Sequence, residues 1–146
     1  MPQNMNQSPP CSLGRRFAAI FYDAILLISL LAIANFLLII LLGTELAGTI
    51  SGNPLIYIYY IGVSLLFFGW FWTHGGQTLG MRVWRVRLIT ELGEPINWPQ
   101  ATIRFGAAFL SWICAGAGFI WALFDRENRG WHDRASKSRL IVIPKK

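Results

Sequence analysis

Read along the chain, the apolar positions fall into three long runs, and the polar positions collect between and after them. Residues 17–42 carry one charge, Asp23; residues 55–73 carry none; residues 105–124 carry none. A helix needs about 20 mostly apolar residues to cross a hydrocarbon core of about 30 Å, so the pattern predicts spans near 17–42, 55–73 and 99–124. The first would be about 39 Å long, more than the core requires, and its opening turns are expected in the headgroup region or tilted. Tyr57, Tyr59 and Tyr60 at one end of the second run and Trp70 and Trp72 at the other have the spacing of interfacial aromatic belts.

The segments between the runs differ in kind. Residues 1–14 are rich in Pro, Gln, Asn and Ser and read as a disordered polar head. Residues 43–54, GTELAGTISGNP, read as a turn-rich connector. After Gly75, Gly76 and Gly80 comes MRVWRVRLIT, whose β-branched content and alternation predict a short surface strand near Val83 to Thr90. The competing reading is a basic amphipathic helix, since Met81, Trp84 and Leu88 share a helical face. Asn97 as a cap and Pro99 in the first turn announce the third helix, which contains Cys114-Ala115-Gly116-Ala117-Gly118, a poor interior for a straight span. A second strand is expected at Leu140 to Ile143, followed by a basic end, 144–146. No internal repeat is visible. The expected fold class is an all-α polytopic helical bundle with a small cytoplasmic β element, spread over residues 15–143.

Composition sharpens this. Of the 146 residues 54% are hydrophobic and only 14% charged, against about 25% charged in an average soluble domain. The run after Arg15-Arg16 is too long for a signal h-region and is followed by no small-residue cleavage site, so it is expected to stay in the protein. The net charge of +6 comes from basic residues flanking apolar runs, where they orient the chain; nucleic acid is not an expected partner. Two of the thirteen Lys and Arg precede the first run, four lie in 74–104 and seven in the tail. The positive-inside rule then puts the N-terminus in the cytoplasm and 43–54 outside. A third full span would leave the basic tail outside. A re-entrant hairpin turning at Gly116 to Gly118 removes the conflict and lets the two strands meet on one face, so it is the favoured reading over a crossing.

Few side chains carry chemistry. Asp23 inside an apolar helix is expected to face protein or water and to have a partner. Arg16, seven residues earlier and about 10.5 Å along the axis, is one candidate, with Arg104, Arg129 and Arg134 as others. His132 and Asp133 are adjacent in Trp131-His132-Asp133-Arg134, and a His beside an Asp has the makings of a pH-responsive pair. The two histidines and two cysteines show no metal-ligand or disulfide spacing. Ser111 and Cys114 lack a neighbouring base and read as small packing residues. Gly116-Ala117-Gly118 lacks the context of a dinucleotide fingerprint, and the turn from Gly76 to Gly80 reads as a tight bend that lets the backbone approach another segment. No catalytic set, cofactor or metal is expected.

Together, Arg16 with Asp23, the stretch GGQTLGMRVWRVRL, Arg104 opening the third run and Trp131-His132-Asp133 after it resemble the RDD family of bacterial membrane proteins. The family's arginine and two aspartates correspond to Arg16, Asp23 and Asp133. The resemblance implies a small multi-span protein of the bacterial cytoplasmic membrane, with transport suggested for the family and ion or proton antiport for some members. Two functions are expected from these residues: a non-catalytic accessory or scaffold component, assembling with itself or a partner membrane protein in the lipid bilayer, or a transport component using Asp23 with Arg16 and Asp133. Arg104, His132, Gly76 and Gly80 are the secondary candidates.

Overall fold

The computed structural model describes residues 9–51, 53–114, 116–125 and 129–144. Helix α1, Leu13–Ser51, is broken at Gly43, whose φ of 78° and ψ of 160° lie outside any helix. Glycine reaches this backbone without a Cβ penalty. The predicted first span thus ends where expected, but beyond the break the connector resumes a helix to Ser51 instead of forming turns. Helix α2, Leu55–Thr73, has the predicted bounds. It is tied to α1 by Tyr60, which donates from its hydroxyl to Asn35 Oδ1 at 3.2 Å, and by Tyr59, which donates to the Ala34 carbonyl at 3.2 Å. Such bonds satisfy polar groups that lipid leaves unmatched.

The glycine-rich stretch leads into a five-residue helix α3, Leu79–Val83, capped by Thr78, then strand β1, Val86–Thr90. The strand reading holds from Val86 on, after Arg85 at φ 53°, while the amphipathic-helix reading does not, since of Met81, Trp84 and Leu88 only Met81 lies in α3. Helix α4, Trp98–Ile113, begins with a reciprocal capping box between Asn97 and Gln100, with Pro99 in its first turn. The third apolar run is not one helix. It bends by 107° before α5, Ala117–Ile120, and the 3-10 turn Trp121–Leu123. Gly116 takes a left-handed φ of 77° at the bend, and Gly118 lies so close to Ser111 that a Cβ there would collide with its hydroxyl. Helix α6, Trp131–Ala135, and strand β2, Ser138–Val142, complete the described chain. Helices Leu13–Glu45 and Leu55–Thr73 are long and apolar enough to cross a membrane, and the bent pair makes a third if counted as one span.

Strands β1 and β2 pair antiparallel from Val86↔Val142 to Thr90↔Ser138. Residues 9–11, expected within a disordered head, instead run along β2. Cys11 donates its N–H to the Leu140 carbonyl at 3.0 Å, Val142 donates to the Pro9 carbonyl at 3.1 Å, and Cys11 is fully buried. The core lies where this sheet meets the helix ends, around Leu88, Val86, Ala19, Met81, Trp72 and Ala101.

The fold also holds an internal repeat, contrary to the sequence expectation. The units α3–β1 and α6–β2 correspond residue for residue at one constant offset: a five-residue helix, two linking residues and a five-residue strand. Trp84 (φ −92°, ψ 6°) matches Ser136 (φ −91°, ψ 4°), and left-handed Arg85 (φ 53°) matches Lys137 (φ 49°). The pairing register maps onto itself when the units are exchanged, with Leu88↔Leu140 at its centre. The repeat escapes the sequence because only Arg82/Arg134, Arg87/Arg139, Leu88/Leu140 and Ile89/Ile141 are identical.

Candidate functional site

Asp133 sits at the third position of α6, fully buried, and gathers donors from three elements. Arg16 from the second turn of α1 reaches Oδ2 at 2.5 Å, and Arg104 from the second turn of α4 reaches Oδ1 at 2.5 Å. The Gly130 N–H donates to Oδ2 at 3.0 Å, so the carboxylate also caps its own helix. Arg104 further donates to Ser138 Oγ at 2.9 Å, and its guanidinium carbon lies 5.3 Å from the Trp72 ring centre. With Arg16 6% and Arg104 4% exposed, this is a dry knot of two guanidiniums on one carboxylate.

Burial is the largest single effect and favours the neutral acid, but the surrounding positive groups, Arg104 foremost, together outweigh it and hold the Asp133 carboxyl well below the usual carboxylate range. His132 is lowered as well, which for an imidazole favours the neutral form. Burial first, then the positive Arg104, push it down to about 3, against the attraction of Asp133, whose Oδ1 is 3.6 Å from Nε2. The pair expected to respond to pH is therefore a neutral imidazole beside a fixed anion.

Asp23 is 4% exposed and does not pair with Arg16, Arg104, Arg129 or Arg134. The Thr78 hydroxyl donates to Oδ2, and the Gly80 N–H donates to Oδ1 at 2.9 Å. Asp23 thus binds the first turn of α3, and Thr78 in turn accepts from the Met81 N–H at 3.2 Å. The expected Arg16–Asp23 contact fails because residues seven apart on a helix are two turns apart along it, while each finds a closer partner across the fold. Arg134 pairs with Asp125, and Arg129 with Glu91 at 2.5 Å.

Gly80 shows why this joint needs glycine: a Cβ there would strike the Ala19 carbonyl and come within 2.9 Å of Asp23 Oδ1. Gly76, at φ 70°, turns the chain so that its carbonyl accepts from the Leu88 N–H at 2.7 Å, and a Cβ would lie 2.5 Å from the Leu88 carbonyl. Helix α1 therefore grips both copies of the repeat, α6 through Arg16 and α3 through Asp23. Arg104 proves to be a full member of the knot; its signal in the sequence was a lone charge at the mouth of an apolar run. Thr78 and Ser138 had no distinguishing signal. Among the described residues no group of three or more His, Cys, Asp and Glu is placed to hold a metal ion.

Beside these joints lies a cavity of about 430 Å³ between α1, α2 and α4. Arg16, Asp23, Arg104 and His132 reach its wall, which is otherwise mostly apolar.

The chain matches the RDD family over residues 10–137, which takes in Arg16, Asp23, Arg104 and Asp133. It is 25% identical over 151 residues to the uncharacterized protein YxaI of Bacillus subtilis (strain 168), covering 90% of this chain and 97% of that protein. No solved structure matches it. The family match spans most of the chain, and together with the apolar helices it suggests a membrane protein; the chain belongs to the RDD family.

Proposed function

We propose that this protein is a non-catalytic accessory or scaffold component of the bacterial cytoplasmic membrane. It assembles with a partner membrane protein or with itself, with its N-terminus and its small sheet on the cytoplasmic face. The observation that carries this reading is that both family carboxylates are taken up by fixed protein donors. Asp133 holds two guanidiniums and a backbone N–H, and Asp23 holds a hydroxyl and a backbone N–H. A carboxylate that ferries an ion must exchange its ligands during each cycle, whereas these two join α1 to the repeat. The transport reading draws on one feature, the cavity that Asp23 and Arg16 touch.

Purification of the full chain in mild detergent, with in-cell cross-linking, decides between them. Recovery of one membrane protein, or a second copy of this chain, in fixed stoichiometry is the expected result. Proton or sodium flux in reconstituted vesicles that disappears in Asp23→Asn, with insertion intact, overturns it in favour of transport.

A further inference from the structure

The two copies of the repeat have equivalent helix-to-strand corners with unlike surroundings. At the second corner, between α6 and β2, Arg134 is paired with Asp125, the Glu91 N–H donates to the Lys137 carbonyl at 3.2 Å, and Ser136 is buried. At the first, between α3 and β1, the counterparts Arg82, Arg85 and Trp84 are all exposed, and neither guanidinium has a partner among the described residues. The corner is nonetheless fixed, since Arg85 donates its N–H to the Arg82 carbonyl at 3.1 Å and Trp84 donates to the Gly80 carbonyl at 3.3 Å.

The described acids do not compensate these two cations. Asp23 touches α3 from its buried side, where Thr78 and Gly80 hold both its oxygens, and two arginines outnumber it even when it is ionised. Glu91 and Glu94 lie past the far end of β1, Asp125 and Asp133 belong to the surroundings of α6, and Glu45 is near the opposite end of α1.

Helix α1 sets the level of this corner. Gly80 bonds Asp23 and lies close against the Ala19 carbonyl, so α3 stands beside the turn of α1 from Ala19 to Asp23. In that same stretch Phe17, Phe21 and Tyr22 are exposed, a surface suited to lipid and not to water. At this level α3 turns Leu79 and Val83 outward, and Trp84 follows, also exposed. Apolar side chains, an indole and two free cations together form the composition that settles at the headgroup boundary. Continuity with the lipid-facing stretch of α1 favours a lipid over an acidic protein as the cover.

We propose that the corner between α3 and β1 binds a phospholipid of net negative charge in the adjoining leaflet. Its phosphate meets Arg82 and Arg85, and its glycerol and upper acyl carbons lie against Trp84, Val83 and Leu79. Arginine suits a phosphate oxyanion, and each cation near an anionic surface adds to the attraction. The inference rests on the proposed function only for the placement of the small sheet at a membrane face; it does not draw on the accessory role.

Native mass spectrometry of the full chain released from a neutral detergent counts bound lipids and tests this. The chain is titrated with dioleoyl phosphatidylglycerol and with dioleoyl phosphatidylcholine, which share chains and phosphate and differ in net charge. The first phosphatidylglycerol is expected to bind more tightly than the first phosphatidylcholine by about tenfold or more. Combining Arg82→Gln with Arg85→Gln should bring the two lipids level, with thermal unfolding unchanged because both side chains lie outside the core. Lys137→Gln, which removes a cation from the equivalent corner, should leave the preference within about twofold. Glycerol 3-phosphate is expected not to displace the lipid at matching concentration. Equal affinity of the two lipids for the unaltered chain, a preference retained in the double variant, equal loss in Lys137→Gln, or displacement by glycerol 3-phosphate overturns the proposal. So does loss of a cross-linked protein from the double variant while its lipid preference persists, which assigns the corner to that protein. Failure here leaves the accessory role standing, since that role is read from cross-linking; a chain that selects the anionic lipid but has no protein partner sinks the accessory role alone.

Discussion

Two arginines converging on one buried aspartate set the electrostatics of everything around them. Removing one partner from such a buried pair costs about 3–5 kcal/mol because the other charge is left uncompensated, which accounts for Arg16, Arg104 and Asp133 acting as one unit. Their field has a readable consequence at His132, whose proton affinity in the folded protein is pushed down to about 3 by burial and by Arg104. Unfolded, the imidazole regains its ordinary value near 6.5. Between these values the unfolded chain binds a proton that the folded chain refuses, so stability falls as pH drops through 6.5 toward about 3. Asp133 acts in the same direction at lower pH: its folded value is also depressed, so its stabilisation is present above the ordinary carboxylate range and is lost as pH falls through that range toward the folded value. From about pH 7 to about pH 5 the protein in detergent should lose about 2 kcal/mol through His132, and His132→Gln should flatten that slope in chemical unfolding series at the two pH values. An unchanged slope in the variant would assign the effect to another group. The sequence displayed the residues of this unit but not their pairing, because helix spacing fixes neighbours along one helix and says nothing of which segment lies across from it.

Among elements, predictability followed length. Helix α2 and the Asn97 cap of α4 were legible because a long uncharged run, and an Asn with Pro two residues later at the head of an apolar run, point to one element each. The bend at Gly116 was legible as a weakness in the run. Helix α3 was not: five residues make too little periodicity, and the residue that anchors its start, Asp23, comes from α1. The repeat was hidden for a related reason, since its two copies share backbone geometry more than side chains. That geometry gives a matched pair of tests. Arg85 and Lys137 hold the left-handed conformation at the two helix-to-strand corners, which costs an L-residue with a Cβ roughly 1–2 kcal/mol. Arg85→Gly and Lys137→Gly relieve it but loosen the unfolded chain, so each should stabilise by about 0.5–1 kcal/mol, and by similar amounts if the corners are equivalent. Thermal unfolding of the two variants and their double mutant measures this; a loss at one corner alone would reveal a side-chain contact there that its counterpart lacks.

At the scale of the whole molecule, the two-stranded sheet constrains how the chain meets the membrane. β1 follows α2 and β2 follows the bent α4–α5 pair, yet they are hydrogen-bonded over five residue pairs, and two segments so joined cannot lie on opposite faces of a bilayer. Residues 9–11 on β2 bring the start of α1 to the same face. A run that returns to its own side needs a bend such as the 107° between α4 and α5, and with that return the described basic residues are expected to gather on one face, in keeping with the positive-inside rule. The prediction is made in a background with Cys11→Ala and Cys114→Ser, using single cysteines at three exposed positions: Asn53, Glu94 and Lys137. A membrane-impermeant maleimide applied to intact cells should label Asn53→Cys and spare the other two. After permeabilisation, Glu94→Cys and Lys137→Cys should react together. Labelling of Lys137→Cys from outside, with Glu94→Cys still protected, would require the third run to cross and the sheet to come apart, and would also remove the joint through which Arg16 and Asp133 hold α1 to α6.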